Sequence, residues 1–268
     1  MRITSPHNER VRYVRSLWHR DERRRKRRFV LEGPRFILDA LRAGARPELV
    51  LADDERLAAS RIGRDVLAAI APYPVVWADA RALAAASETT TPQGIVAVFA
   101  YEPQPPVLDP GALLLLLDGI QDPGNVGTIG RTAEAAGVRT VARLPGCADV
   151  YGPKALRAGA GAQLWLTLLP EATWEGVAPL LADRPLWAAD VEGQHAYDAV
   201  DWRRPAALLL GSEAHGPSAA ARERATGTVR IPLAGRSAAL NVAAGRSLSS
   251  PRSGRSQGSP LHMPRLAR

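Results

Sequence analysis

The chain has one cysteine, Cys147, in 268 residues, so no internal disulfide forms and a disulfide-stapled secreted scaffold is excluded. Long apolar runs are also missing. No aliphatic stretch is longer than that from Ala112 to Leu117, far short of the ~20 residues that a membrane-spanning helix needs. The amino terminus has no apolar h-region of a secretory signal, and Glu9, Asp21 and Glu22 break up an otherwise arginine-rich, transit-like start. The cytoplasm is the expected compartment. Acidic residues are absent from 243–268, which hold five arginines, and scarce in 1–30, where 11 Lys and Arg face three acids. Residues 31–242 hold 19 basic against 24 acidic residues, so the net charge of +8 comes from the two ends.

What is present fits one large or two modest globular domains, with 46% hydrophobic and 23% charged residues. The sharpest charge feature is Arg23-Arg24-Arg25-Lys26-Arg27-Arg28. Six consecutive cations repel one another unless a polyanion neutralises them, and phosphate backbones do so with release of counterions. The run is therefore read as a nucleic-acid contact, although charge alone does not separate RNA from DNA. Tyr13, Trp18 and Phe29 lie nearby and are equally suited to stacking on unpaired bases or to core packing.

Strand and helix signals alternate along the chain. A helix is expected over 5–19, opening at Ser5-Pro6, then a strand at Phe29–Glu32 and a helix from Gly33-Pro34 to Ala43. Strands at 48–52, 75–77 and 94–99 surround a helix over 60–71, which predicts a mostly parallel sheet with helices on both faces. Four prolines in the eleven residues from Tyr101 to Gly111 mark a stiff linker. Beyond it, strands are expected at 113–117, 139–143, 163–168, 186–189, 206–210 and 228–232. From Ala243 onward the text is dense in Ser, Gly, Pro and Arg and has no periodicity.

Three segments carry chemistry. In the first, the buried strand ending at Leu117 runs through Asp118-Gly119-Ile120-Gln121-Asp122-Pro123-Gly124-Asn125 toward a helix from about Ile129, with Thr128 as its cap and Gly137 closing it. Its G-x-x-G-x-x-G spacing departs from the dinucleotide fingerprint G-x-G-x-x-G. Arg131 is placed in the first helical turn, where it would oppose the positive helix end and need a phosphate or carboxylate. The second, Leu210-Gly211-Ser212-Glu213-Ala214-His215-Gly216, leaves a strand at the carboxyl edge where open α/β sheets bind ligands; His215 reads as a surface-loop residue. The third runs from Val229 through Ile231 and Pro232 to Leu240-Asn241-Val242.

In order and spacing, these segments resemble the three motifs of the SpoU/TrmH family of RNA ribose 2′-O-methyltransferases in the SPOUT superfamily, over about residues 25–242. Phe29–Gly33 and Thr89-Thr90-Thr91-Pro92-Gln93-Gly94 are similar to the ribosomal-protein-like domain often fused to such enzymes, and Lys154–Ala162 with Arg157 to the helix after motif one. The resemblance implies an α/β protein with an RNA substrate-binding domain over 1–100, a linker over 101–111, a trefoil-knotted SPOUT methyltransferase domain over 112–242 and a tail over 243–268. It further implies S-adenosylmethionine (SAM) as cofactor, RNA (ribosomal RNA above all) as substrate, a homodimer, and neither metal nor membrane. Gly211, Ile231 and Leu240 match positions whose backbone holds SAM, and Asn125, Arg131, Glu213 and Asn241 match the polar catalytic set. A ribose hydroxyl must be positioned and lose its proton as it attacks a sulfonium methyl. A guanidinium gives up its own proton reluctantly. Arg131 is therefore expected to bind the adjacent phosphate and the developing alkoxide, another group or water to take the proton, and Glu213 to orient Arg131 or Asn125.

Two departures stand out. Ala239 occupies the place of a family serine, and the family's apolar terminal helix is replaced by Gly245-Arg246-Ser247 and low-complexity text. A reading-frame change in a GC-rich gene produces such a switch; an uninterrupted frame in the verified gene, with an intact mass for 268 residues, rules that out. The rival reading is an RNA-binding relative without catalysis. A third follows from Gly216-Pro217-Ser218 after Gly211-Ser212-Glu213, which also resembles thiostrepton-resistance methyltransferases.

Overall fold

The computed structural model describes residues 2–101, 106 and 112–232, which form two β-sheets, each covered by helices on both faces. In the first sheet β1 (Arg28–Glu32), β2 (Pro47–Ala52), β3 (Val75–Trp77) and β4 (Ile95–Ala100) are ordered β1-β4-β2-β3. Side chains alternate between its faces, as the two-residue strand period requires. Phe29, Leu31, Ile95, Ala97 and Phe99 pack with α3 (Pro34–Arg42), α4 (Asp54–Ala58) and α5 (Arg61–Ile70). Val30, Val96 and Val98 pack with α1 (Glu9–Ser16) and α6 (Ala80–Ala86).

This sheet is not mostly parallel, as the alternation predicts. β4 runs antiparallel to both β1 and β2, and only β2 and β3 are parallel. Ala52 pairs with Trp77 at the end of β3 and with Ile95 at the start of β4. The chain thus leaves and re-enters the sheet at one end, and α6 lies there instead of crossing over.

The second sheet comprises β5 (Leu113–Leu117), β6 (Thr140–Arg143), β7 (Thr167–Leu169), β8 (Leu186–Ala189), β9 (His195–Ala196), β10 (Ala206–Leu210) and β11 (Gly227–Arg230). Every pairing in it is parallel, in the order β7-β6-β5-β10-β8-β11-β9. A parallel sheet buried on both faces accounts for the five consecutive leucines of β5. Leu113, Leu115 and Leu117 pack beneath α7 (Pro123–Ala135), whereas Leu114 and Leu116 face α9 (Trp174–Leu181) and α10 (Ala219–Arg224).

Several boundaries differ from the sequence reading. α1 begins at Glu9, because the Asn8 side chain accepts from the Arg10 N–H and Ser5-Pro6 forms only the preceding turn. The expected strand over 163–168 starts as a 3₁₀ turn, Ala162–Leu164, and pairs only from Thr167. α7 starts at Pro123 and is capped by Asp122, not Thr128. Glycines inside a helix cost about 1 kcal/mol each, but Gly127 has a packing reason. A Cβ there would stand 2.2 Å from the Ala155 carbonyl of α8 (Pro153–Ala158). Gly137 does close α7, with φ +77°. The basic run forms a helix, α2 (Arg20–Lys26), that ends on Arg27 in the left-handed region at φ 51°.

Candidate active site

At the centre of the parallel sheet β5 lies between β6 and β10, and the chain proceeds to opposite sides from there. A switch of this kind opens a crevice at the carboxyl ends of the strands. There the Asp118 N–H donates to the Leu210 carbonyl at 2.9 Å. The buried Asp118 carboxylate accepts from the Ser218 N–H at 2.8 Å, so the loops after β5 and β10 are tied together. Asp122 continues the first loop. One of its oxygens accepts from the Asn125 N–H at 2.9 Å and the other from Lys154 Nζ at 2.7 Å. These partners, Lys154 first, hold its carboxyl below the usual carboxylate range.

Asn125 Nδ2 donates to the Glu213 carboxylate across the crevice, so the structure brings these two sequence-predicted residues together. Arg131 is not in the first helical turn. It is the ninth residue of α7 and is exposed. Six residues beyond Asn125, it stands about 9 Å further along the helix and about a third of a turn round it. The helix-end argument for an anion at Arg131 fails with that placement; its exposure, with no ion pair among the described residues, remains.

Gly211 is buried where its loop folds back on itself. A Cβ there would meet Gly216 C and Pro217 N at 2.3 Å, both backbone atoms. Gly211→Ala is accordingly expected to lower the unfolding free energy by at least the ~1–3 kcal/mol typical of overpacking, measured by urea denaturation. Ile231 follows β11, which is separated from β10 by β8, about 10 Å from Gly211's strand at the usual strand spacing. Leu240 and Asn241 lie outside the described residues, as does Ala239. His215 is exposed in its loop. Cys147 is buried and accepts from the Ile120 N–H at 3.2 Å; burial pushes its thiol up to about 11. Asp118, Asp122 and Lys154 were not singled out as site residues. The signal for Asp118 was an acid directly following five buried leucines.

The cations of 23–28 are not a free row, because acids elsewhere in the chain pair with them. Arg23 is only 5% exposed. Its Nε and Nη2 reach Asp149 Oδ2 at 2.9 and 2.8 Å, and its Nη1 donates to the carbonyls of Leu17 and Trp18 at 2.9 and 2.7 Å. Arg24 pairs with Glu171 at 2.5 Å and Arg28 with Glu48. Arg25 and Lys26 share Glu22 at 2.8 Å each, pulling its carboxyl down to about 2. Of the six, Arg27 forms no ion pair among the described residues. Arg23 thus joins the two sheets' domains at a seam that Phe29, Tyr101 and Tyr151 extend by stacking, with Tyr101 and Tyr151 centred 4.3 Å apart.

Residues 112–248 match the model of the SpoU rRNA Methylase family. The chain belongs to that family. It is a SAM-dependent RNA 2′-O-methyltransferase. Residues 8–97 match the MRM3-like substrate binding domain. The chain is 31% identical to 23S rRNA (guanosine(2553)-2'-O)-methyltransferase RlmP of Bacillus subtilis, over 90% of this chain and 94% of that one. An AdoMet-bound rRNA methyltransferase structure from Sinorhizobium meliloti is 26% identical with a TM-score of 0.80, covering 93% of this chain and 95% of the other. The SpoU methyltransferase AviRb from Streptomyces viridochromogenes, in complex with AdoMet, is 28% identical with a TM-score of 0.80, over 91% and 96% of the two chains. Among the described residues no helix is long and apolar enough to cross a membrane, and no group of His, Cys, Asp or Glu is arranged to hold a metal.

Proposed function

We propose that this chain methylates one ribose 2′-hydroxyl of ribosomal RNA in the crevice between the β5 and β10 loops. The observation that carries the reading is the Asn125–Glu213 hydrogen bond, which joins motif one to motif two beside Gly211. The backbone at Gly211 has no room for a side chain because the Gly216–Pro217 backbone packs against it, which fixes the shape of the loop at this strand exit. Gly211, Ile231 and Leu240 would hold the cofactor, which when bound supplies an electrophilic sulfonium methyl. Glu213 fixes the orientation of the Asn125 amide, and Asn125 with Asn241 positions the ribose. Arg131 remains protonated, binds the phosphate next to the target ribose and stabilises the alkoxide as it forms.

Two copies are proposed to form the working enzyme, with the 112–242 domain closing as a trefoil knot, in the cytoplasm. Trp165, which ends the 3₁₀ turn Ala162–Leu164, is 56% exposed, an apolar side chain that a second copy would cover. Sedimentation equilibrium at twice the chain mass is the expected result.

RNA is gripped by the cations of α1, α2 and the turn into β1. Arg23 leaves the RNA-contact set because it is buried, while Arg24, Arg25, Lys26, Arg27 and Arg28 stay within it. Arg12, Arg15 and Arg20 join them, exposed and without an ion pair among the described residues. Neutralising Arg12, Arg15, Arg20 and Arg27 together is expected to weaken RNA binding and to flatten the slope of log affinity against log salt by about three, at 0.7–0.9 per phosphate contact. An unchanged slope would make these arginines bystanders.

The function as a whole is tested by calorimetric titration of SAM, followed by methyl transfer to ribosomal RNA. One SAM per chain and transfer to a 2′-hydroxyl are expected. No SAM binding, with RNA binding retained, would replace the enzyme by the non-catalytic RNA-binding reading.

A further inference from the structure

A cavity of about 300 Å³ opens at the seam between the two domains, away from the β5–β10 crevice. Its walls include Trp18, Phe36, Thr90 and Gln93 from the amino-terminal domain, and Leu156 and Arg157 from α8 of the methyltransferase domain. We infer that this cavity captures one unpaired nucleobase of the RNA substrate and so sets the register between the RNA and the methylated ribose. The inference rests on the RNA-methyltransferase reading and adds a recognition site to it.

Four observations support it. First, of the three aromatic side chains flanking the basic run, Phe29 is buried in the core and Tyr13 lies under Lys26 Nζ at 4.7 Å. Only Trp18 lines an open cavity, and its indole is held rigid by donating Nε1–H to the Ala86 carbonyl at 2.7 Å. A fixed ring in the wall of a cavity that Phe36 also lines is a stacking platform for a flat base.

Second, the polar wall is held in place. The Glu32 carboxylate accepts from the Thr89 hydroxyl and from the N–H groups of Glu88 and Thr89, at 3.2 and 3.4 Å. This pins the Thr89-Thr90-Thr91 segment, which the catalytic crevice does not use. Gln93 lies over Gly33, which sits at φ +99°; a Cβ there would stand 2.8 Å from Gln93 Oε1. An amide carries both donors and an acceptor, the pattern that reads a base edge.

Third, a cation lines the rim. Arg157 pairs with Glu88 at 2.7 Å and remains about half exposed, so it can reach a phosphate 3′ or 5′ of the captured base.

Fourth, the cavity is joined to the active site by one short helix. Leu156 and Arg157 of α8 face the cavity, while Lys154 of the same helix holds Asp122, the cap of α7, three residues before Asn125. A base seated at the seam is thereby held at a set distance from the catalytic amide. Double-stranded RNA offers no base face to such a pocket, whereas loops and bulges do.

The test uses the full chain, SAM and deproteinised ribosomal RNA transcribed with 4-thiouridine. Thr90→Trp fills the cavity from an exposed position, and Gln93→Ala removes the amide without touching the core. Both are expected to raise KM for the RNA, Thr90→Trp by about five- to a hundredfold, the range of one base–aromatic stack. The dissociation constant for SAM is expected to stay within twofold. Photo-crosslinking is expected to place an RNA adduct on the peptide bearing Trp18, on that bearing Phe36 or on that spanning 89–93. KM values within twofold of the parent in folded variants would overturn the inference, as would adducts confined to other peptides. A parent chain that crosslinks at these positions without methylating the RNA would fail the enzyme reading and leave the cavity's role standing.

Discussion

Arg23→Ala is expected to lower the unfolding free energy by about 3–5 kcal/mol, the usual consequence of leaving one partner of a buried ion pair uncompensated. The guanidinium has 6% of its side-chain surface exposed and its partner Asp149 has 17%, so water cannot replace the lost donors. Three groups lose partners at once: the Asp149 carboxylate and the carbonyls of Leu17 and Trp18. Arg25→Ala is the matched control. Its side chain is 66% exposed and pairs only with Glu22, so a change within about 0.5 kcal/mol is expected. Urea denaturation of both variants, with Asp149→Ala and the double variant, closes the cycle. A coupling energy near zero between positions 23 and 149 would show that the seam does not depend on this pair. Loss of RNA affinity without loss of stability would return Arg23 to the RNA-contact set.

Arg131→Ala is expected to reduce methyl transfer at least 10²- to 10³-fold, the scale on which a single group stabilising developing negative charge acts. SAM affinity should remain within a few-fold, because Gly211 and Ile231 follow β10 and β11 whereas Arg131 is carried by α7. Asn125→Ala should behave alike, with one difference. Its removal leaves the Glu213 carboxylate without the amide it accepts from, so part of its effect should reappear in Glu213→Gln, and the two losses should not add. Arg131→Lys tests the proposed role directly. If the guanidinium binds phosphate as a two-pronged donor, lysine recovers little of the rate. If it is instead the proton acceptor, lysine, with its lower pKa, moves the rising limb of the pH–rate profile to lower pH. Single-turnover rates across pH separate the two. A fully active Arg131→Ala would remove the residue from the mechanism.

Much of the catalytic domain was legible in the sequence because its signals are local. Strands at 186–189 and 206–210 appear at the expected residues, since continuous apolar runs between polar turns admit little else. Asn125 and Glu213 were found by motif order, and they meet. The start of α7 was misplaced because Gly124, Gly127 and Gly130 read locally as a loop; the contact that favours a helix there is α8, some 30 residues on. The ion pairing of the basic run was illegible for the same reason at longer range. Glu22 is local, but the other neutralising acids, Glu48, Asp149 and Glu171, lie 20 to 147 residues away along the chain. Strand direction in the amino-terminal sheet was illegible because a helix between two strands does not say at which end the chain returns. Arg131's distance from Asn125 followed from the misplaced helix start.

Cys147 has a practical consequence for watching the seam move. The only thiol of the chain is buried and protonated at neutral pH, so maleimide reagents should leave the native fold unlabelled. A cysteine introduced on an exposed helix face, at Ala68 of α5 for example, then becomes the single attachment point for a dye. A second at exposed Ala135 of α7, across the seam, completes a donor–acceptor pair with no background to remove. Energy transfer between them reports whether the two domains shift when RNA arrives.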